Sequence, residues 1–103
     1  MLFELDKDTF KTLVLDSKEL VLVDFFANWC KSCESLETYL ENISEDYYGK
    51  IKIFKFNIEQ DDEILDTLEI FNLPTLILFD NGKEKGRLEG LISEKKIVDW
   101  LAL

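Results

Sequence analysis

Apolar and polar positions fall into blocks along the chain whose period switches between two and three-to-four. Leu20 to Ala27, "LVLVDFFA", is apolar at seven of eight positions. A run this short and this apolar suggests a strand buried on both faces, as in a parallel sheet. "IKIFKFNI", Ile51 to Ile58, and "TLILF", following Pro74, read as two more strands, and "LFEL" near the start as a short first one. From Cys33 onward, Leu36, Leu40, Ile43 and Tyr47 recur at three and four, one face of a helix that Gly49 is placed to end or follow. Asp8 is expected to cap a helix with Phe10, Leu13 and Val14 on one face. Asp61 or Asp62 is expected to cap one carrying Ile64, Leu65 and Leu68. Ser93 is expected to cap a last helix with Ile97, Trp100 and Leu101 inward.

"DNGK", Asp80 to Lys83, signals a two-residue hairpin, because Asn-Gly tolerates the positive φ of a type I′ turn. The strand after it, Lys83 to Glu89, is rich in charge, as suits an exposed edge. The order β-α-β-α-β-α-β-β-α implies an α/β fold. A mixed, mostly parallel five-stranded sheet has helices on both faces, and the hairpin supplies an antiparallel edge. In such sheets, sites form at the carboxyl ends of strands. Residues 1–103 are expected to form a single domain, without linker, repeat or low-complexity segment.

Composition narrows the function. The chain has 22 acidic and 12 basic residues, a net charge of −10, and the charges are scattered. An acidic surface repels nucleic acid and anionic lipid, so neither is expected as a partner. No apolar run reaches the ~18 residues of a membrane span, and no signal peptide is evident, so the expected location is the cytoplasm. There is no histidine, which excludes His-based catalysis and His-containing metal sites.

The two cysteines lie in "FANWCKSCE", Phe26 to Glu34, at the point where a buried strand gives way to a helix. A structural zinc site needs about four ligands. One chain could complete it only with carboxylates, whereas a dimer could pool two pairs into a four-thiolate zinc or iron–sulfur site. A permanent staple closing so short a loop removes little unfolded-state entropy. A reactive dithiol fits better. Residues i and i+3 at a helix start share one face, and the free N–H groups there stabilise a thiolate. Cys30, nearer solvent, is then the expected nucleophile, and Cys33, one turn in, the resolving thiol. Asp24 is the only polar residue of its buried strand, and Lys55 shares strand parity with Ile51 and Ile53 and so can face inward.

These segments together resemble the thioredoxin family over essentially the whole chain. "VDFFANWCKSC", "KFNIEQ", "NLPTLILFDNG" and "EGLISEKKIVDWL" carry the likeness. Val23, Asp24, Phe25, Phe26, Ala27, Trp29, Cys30 and Cys33 fit the family's active-site pattern, and Leu73-Pro74-Thr75 fits its cis-proline segment. The resemblance implies that Cys30 attacks a substrate disulfide and that Cys33 then releases the reduced product. It makes Asp24 a buried carboxylate that moves the proton at Cys33, with Lys55 nearby. It assigns Trp29, Leu73, Pro74, Gly90 and Leu91 to substrate binding. It also implies disulfide-containing protein substrates, no bound cofactor or metal, a thioredoxin reductase upstream and a monomer. A second reading, a thioredoxin-like binding module with little turnover, rests on departures from the pattern. Lys31-Ser32 replaces the Gly-Pro usual between the cysteines, Glu34 a basic residue, Thr38 the helix-kinking proline, and Asn72 a glycine. These departures bear on redox potential, reducing partner and substrate range.

Overall fold

The computed structural model describes residues 2–103. The strands β1 (Phe3–Leu5), β2 (Leu20–Phe26), β3 (Lys52–Asn57), β4 (Thr75–Asp80) and β5 (Lys83–Glu89) form one sheet in the order β1-β3-β2-β4-β5. The helices are α1 (Lys7–Phe10), α2 (Lys31–Asp46), α3 (Asp62–Leu68) and α4 (Glu94–Leu101). Helix α1 runs directly into a π-helical stretch, Lys11–Leu15, and a 3-10 turn, Ile58–Gln60, precedes α3. The α/β architecture expected from the sequence is present.

Strand alternation divides the core in two. Val21, Val23 and Phe25 of β2, Phe56 of β3 and Ile77 and Phe79 of β4 point to the face covered by α1, the π-helical stretch and α3. Phe10 sits at the centre of that layer. Its ring lies 5.8–6.1 Å from those of Phe25, Phe56 and Phe79, each edge-on, and such pairs contribute about 0.5–1.5 kcal/mol beyond burial. Leu22, Ile53, Leu76 and Leu78 point to the opposite face, where Leu36, Leu40 and Ile43 of α2 and Ile97 and Leu101 of α4 close over them. Asp24 and Lys55 have the parity of this second face. Asp24 therefore lies beneath α2 and is 1% exposed.

Two details depart from the expected elements at the first helix. The cap is Asp6, not Asp8: its carboxylate accepts the Thr9 N–H at 2.8 Å, and the Thr9 hydroxyl accepts the Asp6 N–H at 2.7 Å. This reciprocal box satisfies two end donors and leaves Asp8 in the first turn, beside the dipole. Leu13 faces outward at 39% exposure. The chain there is wound by i→i+5 bonds, with the Asp16 N–H donating to the Lys11 carbonyl at 2.9 Å. The wider turn keeps Val14 over Phe10 and rotates Leu13 to the surface.

The sheet is also more mixed than a parallel core with one hairpin. β1 and β2 run parallel to β3, but β4 is antiparallel to β2 as well as to β5. Helix length explains the reversal. The 16 residues of α2 span about 24 Å, enough to carry the chain back along the sheet before β3 begins. The seven residues of α3 span only about 10 Å. The chain thus leaves β3 and enters β4 at the same end, and β4 must run the other way. The hairpin beyond is as expected, with Asn81 and Gly82 at φ +54° and +78°. Trp100 is only half-buried, packed at the edge of the second layer.

Candidate active site

The carboxyl ends of β1, β2 and β3 and the amino end of α2 converge on the cysteines. β2 ends at Phe26, and Cys30 is the N-cap of α2, with φ −93° and ψ 106°. The Cys30 side chain makes no cap hydrogen bond but stands at the end where the first-turn N–H groups are free, and Cys33 is the third helical residue. The two sulfurs are bonded, S–S 2.27 Å. Both cysteines are buried, Cys30 at 7% and Cys33 at 4% exposure, so the expected difference in exposure is small in the disulfide state. The Ser32 hydroxyl lies 3.5 Å from Cys30 Sγ.

The loop that carries Trp29 is tied to β3 and the 3-10 turn. The Asn28 N–H donates to Glu59 at 2.6 Å, Asn57 donates to the Asn28 side-chain oxygen at 3.3 Å, and the Cys30 N–H donates to the Ala27 carbonyl at 3.1 Å. Trp29 is thereby held outward, 70% exposed. Asn28, Asn57 and Glu59 escaped the sequence reading, because nothing in their spacing announces a loop anchor.

Leu73 and Pro74 precede β4, joined by a cis peptide bond. Gly90, at φ +83°, donates its N–H to the Pro74 carbonyl at 2.8 Å and brings the loop after β5 beside them. Pro74 is buried, Leu73 half-buried and Leu91 exposed, so the expected substrate-binding residues of these two loops form neighbouring backbone with an apolar fringe. Phe71, three residues before Pro74, is 83% exposed and belongs to the same loop. An exposed phenylalanine there was not foreseen; only the solved loop conformation separates it from a core residue.

Behind the disulfide lies a polar recess of about 240 Å³, lined by Glu4, Asp24, Phe26, Asn28, Cys33, Glu34, Glu37 and Lys55. Asp24 and Lys55 are direct register partners across β2 and β3. The Lys55 ammonium, however, bonds to Glu37 of α2 at 2.5 Å and lies 5.5 Å from the centre of the Phe26 ring. Asp24 Oδ1 is buried without a hydrogen-bond partner among the described residues. Burial foremost, and the Glu37 carboxylate next, push the Asp24 carboxyl up to about 7, against the opposing pull of Lys55. Glu37 was absent from the sequence-derived site.

A bonded Cys-x-x-Cys pair at a helix start, with a protonatable buried carboxyl behind it and apolar loops beside it, defines a thiol–disulfide exchange protein. The thioredoxin family model matches residues 1–103. The chain is 39% identical to the thioredoxin of Rickettsia felis over 93 residues, covering 90% of this chain and 89% of that one. It is equally similar to the thioredoxin of Rickettsia bellii. It is 36% identical to that of Buchnera aphidicola subsp. Acyrthosiphon pisum over 100 residues, 97% of this chain and 93% of the other. The chain belongs to the thioredoxin family. It is a thiol–disulfide oxidoreductase that reduces protein disulfides through Cys30 and Cys33. The binding-module reading is not favoured, since the pair is intact and the sulfurs are within bonding distance.

Proposed function

We propose that the two cysteines divide the reaction as follows. The Cys30 thiolate attacks one sulfur of a substrate disulfide. That S–S bond breaks, one substrate sulfur leaves as a thiolate, and the other is joined to Cys30. Cys33 then gives its proton to the Asp24 carboxylate and attacks Cys30 Sγ, and the second substrate thiolate leaves. Two electrons have passed to the substrate, and the chain carries the Cys30–Cys33 bond. Lys55 is the charge that tempers the carboxylate. Trp29, Leu73, Pro74, Gly90 and Leu91 receive the substrate strand.

The observation that carries this assignment is placement. Cys30 caps α2, whereas Cys33 and Asp24 line one recess behind it. Sulfur nucleophilicity at a helix N-terminus favours Cys30 as attacker. A buried carboxyl that titrates near 7 suits proton exchange at neutral pH.

The remaining parts of the reading follow from this chemistry. Residues 1–103 act as a single domain and a monomer, since one chain supplies both sulfurs and the carboxyl. A thioredoxin reductase upstream restores the dithiol, and the reaction asks for no bound cofactor. The setting is the cytoplasm; no helix among the described residues is long and apolar enough to cross a membrane. The net charge of −10 argues against nucleic acid as a partner.

The deciding experiment is trapping with Cys33→Ser. Substrate proteins should accumulate as mixed disulfides on Cys30. Accumulation on Cys33 in Cys30→Ser, with none on Cys30 in Cys33→Ser, would reverse the two roles.

A further inference from the structure

The Lys55–Glu37 pair sits at the mouth of the recess that joins Cys33 to Asp24. It is partly sheltered, with side-chain exposures of 19% and 35%. Three strand and helix positions determine its geometry. Asp24 of β2 and Lys55 of β3 face each other in register. Glu37, one turn beyond Cys33 on α2, comes down over the same strands. The lysine therefore has the carboxylates of Asp24 and Glu4 beside it in register and that of Glu37 above it, and its ammonium is bonded to Glu37. Asp24, nearly devoid of solvent, keeps an oxygen with no partner among the described residues.

We propose that Glu37 is a positioning residue of the exchange reaction: by holding the Lys55 ammonium, it withholds a cation from Asp24 and so makes that carboxylate a stronger acceptor for the Cys33 proton. This rests on the reading of Asp24 as the proton acceptor. Glu37 acts in two ways with the same sign. Its own negative charge stands near Asp24 and opposes ionisation there, and it draws away the positive charge that would favour it. The other charged groups facing Asp24 are Glu34 of α2 and Glu4 of β1, both lining the recess, and neither can replace the cation. On its far side β2 presents only Leu76 of β4 opposite Asp24. Among the described residues lining the recess Lys55 is the one cation, and it is bonded to Glu37 rather than to Asp24 or to its β1 neighbour Glu4.

The proton balance is simple. In the forward step Cys33 loses a proton to Asp24 as its sulfur bonds to Cys30 and the substrate thiolate departs. When the disulfide is reduced again, the same proton returns to Cys33. A carboxyl with a higher proton affinity is a better base in the first step and is still ionised above its midpoint.

The test uses the reduced full-length chain mixed with a dithionitrobenzoate reagent. One thionitrobenzoate is released when Cys30 attacks, and a second when Cys33 resolves the mixed disulfide. The second phase is followed against pH, and Asp24→Asn identifies the midpoint that depends on Asp24. Glu37→Gln should move that midpoint to lower pH by about half a unit or more, because the charge is lost while the amide keeps the shape. Glu37→Asp, which restores the charge, should move it back toward wild type, and Lys55→Gln should move it to higher pH. The proposal is overturned if Glu37→Gln leaves the midpoint in place or raises it while Asp24→Asn removes the step. If Asp24→Asn itself leaves the whole profile unchanged, the proposal falls together with the reading beneath it.

Discussion

Asp24 and Lys55 are direct partners in the parallel pairing of β2 with β3, yet the lysine's ammonium is bonded to Glu37. The carboxyl behind the disulfide is therefore buried and incompletely compensated, which ties its titration to stability.

Asp24→Asn should stabilise the fold above neutral pH and slow the resolving step. The carboxyl is raised to about 7 in the folded chain, mainly by burial, against about 3.9 when unfolded. Both states are protonated at pH 3, so burial there costs nothing in ionisation. As pH rises from about 4 to 7 the unfolded chain ionises first, and the folded state loses that advantage progressively. Wild type should lose roughly 2–4 kcal/mol across this window through Asp24 alone, and Asp24→Asn should not. Urea unfolding of both proteins at pH 4 and pH 8 measures it. Equal pH dependence in the two would assign the burial to a structural role.

Lys31 and Ser32 should both make the disulfide easier to reduce. Lys31 places a positive charge beside Cys30, and the Ser32 hydroxyl, 3.5 Å from Cys30 Sγ, can donate to a thiolate there. Stabilising the thiolate raises the potential, about 30 mV for 1.4 kcal/mol. Glu34 in the first turn of α2 works against them. The potential should lie within about 30 mV of −270 mV, on the less negative side. Lys31→Gly and Ser32→Ala should each make it more negative by ~10–30 mV, read by equilibration with glutathione. A less negative value in either variant would reverse the sign of this electrostatic account.

Trp29 and Phe71 should contribute to protein substrates and little to stability. They are 70% and 83% exposed, on two different loops, and such exposed apolar groups commonly mark contact surfaces. Trp29→Ala and Phe71→Ala should each raise KM for reduced insulin formation several-fold, with unfolding free energy changed by less than about 0.5 kcal/mol. Reduction of a small disulfide reagent should be unchanged. A parallel loss on both substrates would place these residues in the chemistry instead.

Arg87 should hold the end of α3 and the loop that follows. Its guanidinium donates to the carbonyls of Leu68 at 2.9 Å and Glu69 at 3.2 Å, and to the Glu84 carboxylate at 2.6 and 2.7 Å. A cation at a helix carboxyl end completes its free acceptors. Arg87→Ala should cost about 1–2 kcal/mol and speed amide exchange from Glu69 to Leu73. Arg87→Lys should recover only part, since an ammonium cannot fork to both carbonyls and a carboxylate.

Much of this protein was written in one dimension. Apolar patterning located the first four strands and the four helices, since burial leaves a local pattern, and the hairpin signal located the fifth strand. Asn81-Gly82 and Ser93 marked a turn and a cap, and the pair Asp61-Asp62 marked another that the structure gives to Asp61, because those jobs are done by the residue itself and its immediate neighbours. The Cys30-x-x-Cys33 spacing at a strand-to-helix junction contained the chemistry. What the chain order could not say depended on backbone geometry and on contacts that exist only in the fold. The sequence points to Asp8 as the cap, and only the reciprocal bonds with Thr9 show that Asp6 does that work. Leu13 turns outward only because the backbone widens into i→i+5 bonding. β4 reverses because α3 is too short to cross the sheet, a comparison of lengths in space. Glu37 looked like any helix-surface acid, and its bond to Lys55 exists only because α2 packs over β2 and β3. Local chemistry is legible in sequence; which of the carboxylates around it Lys55 bonds is set by how a helix lies on a sheet.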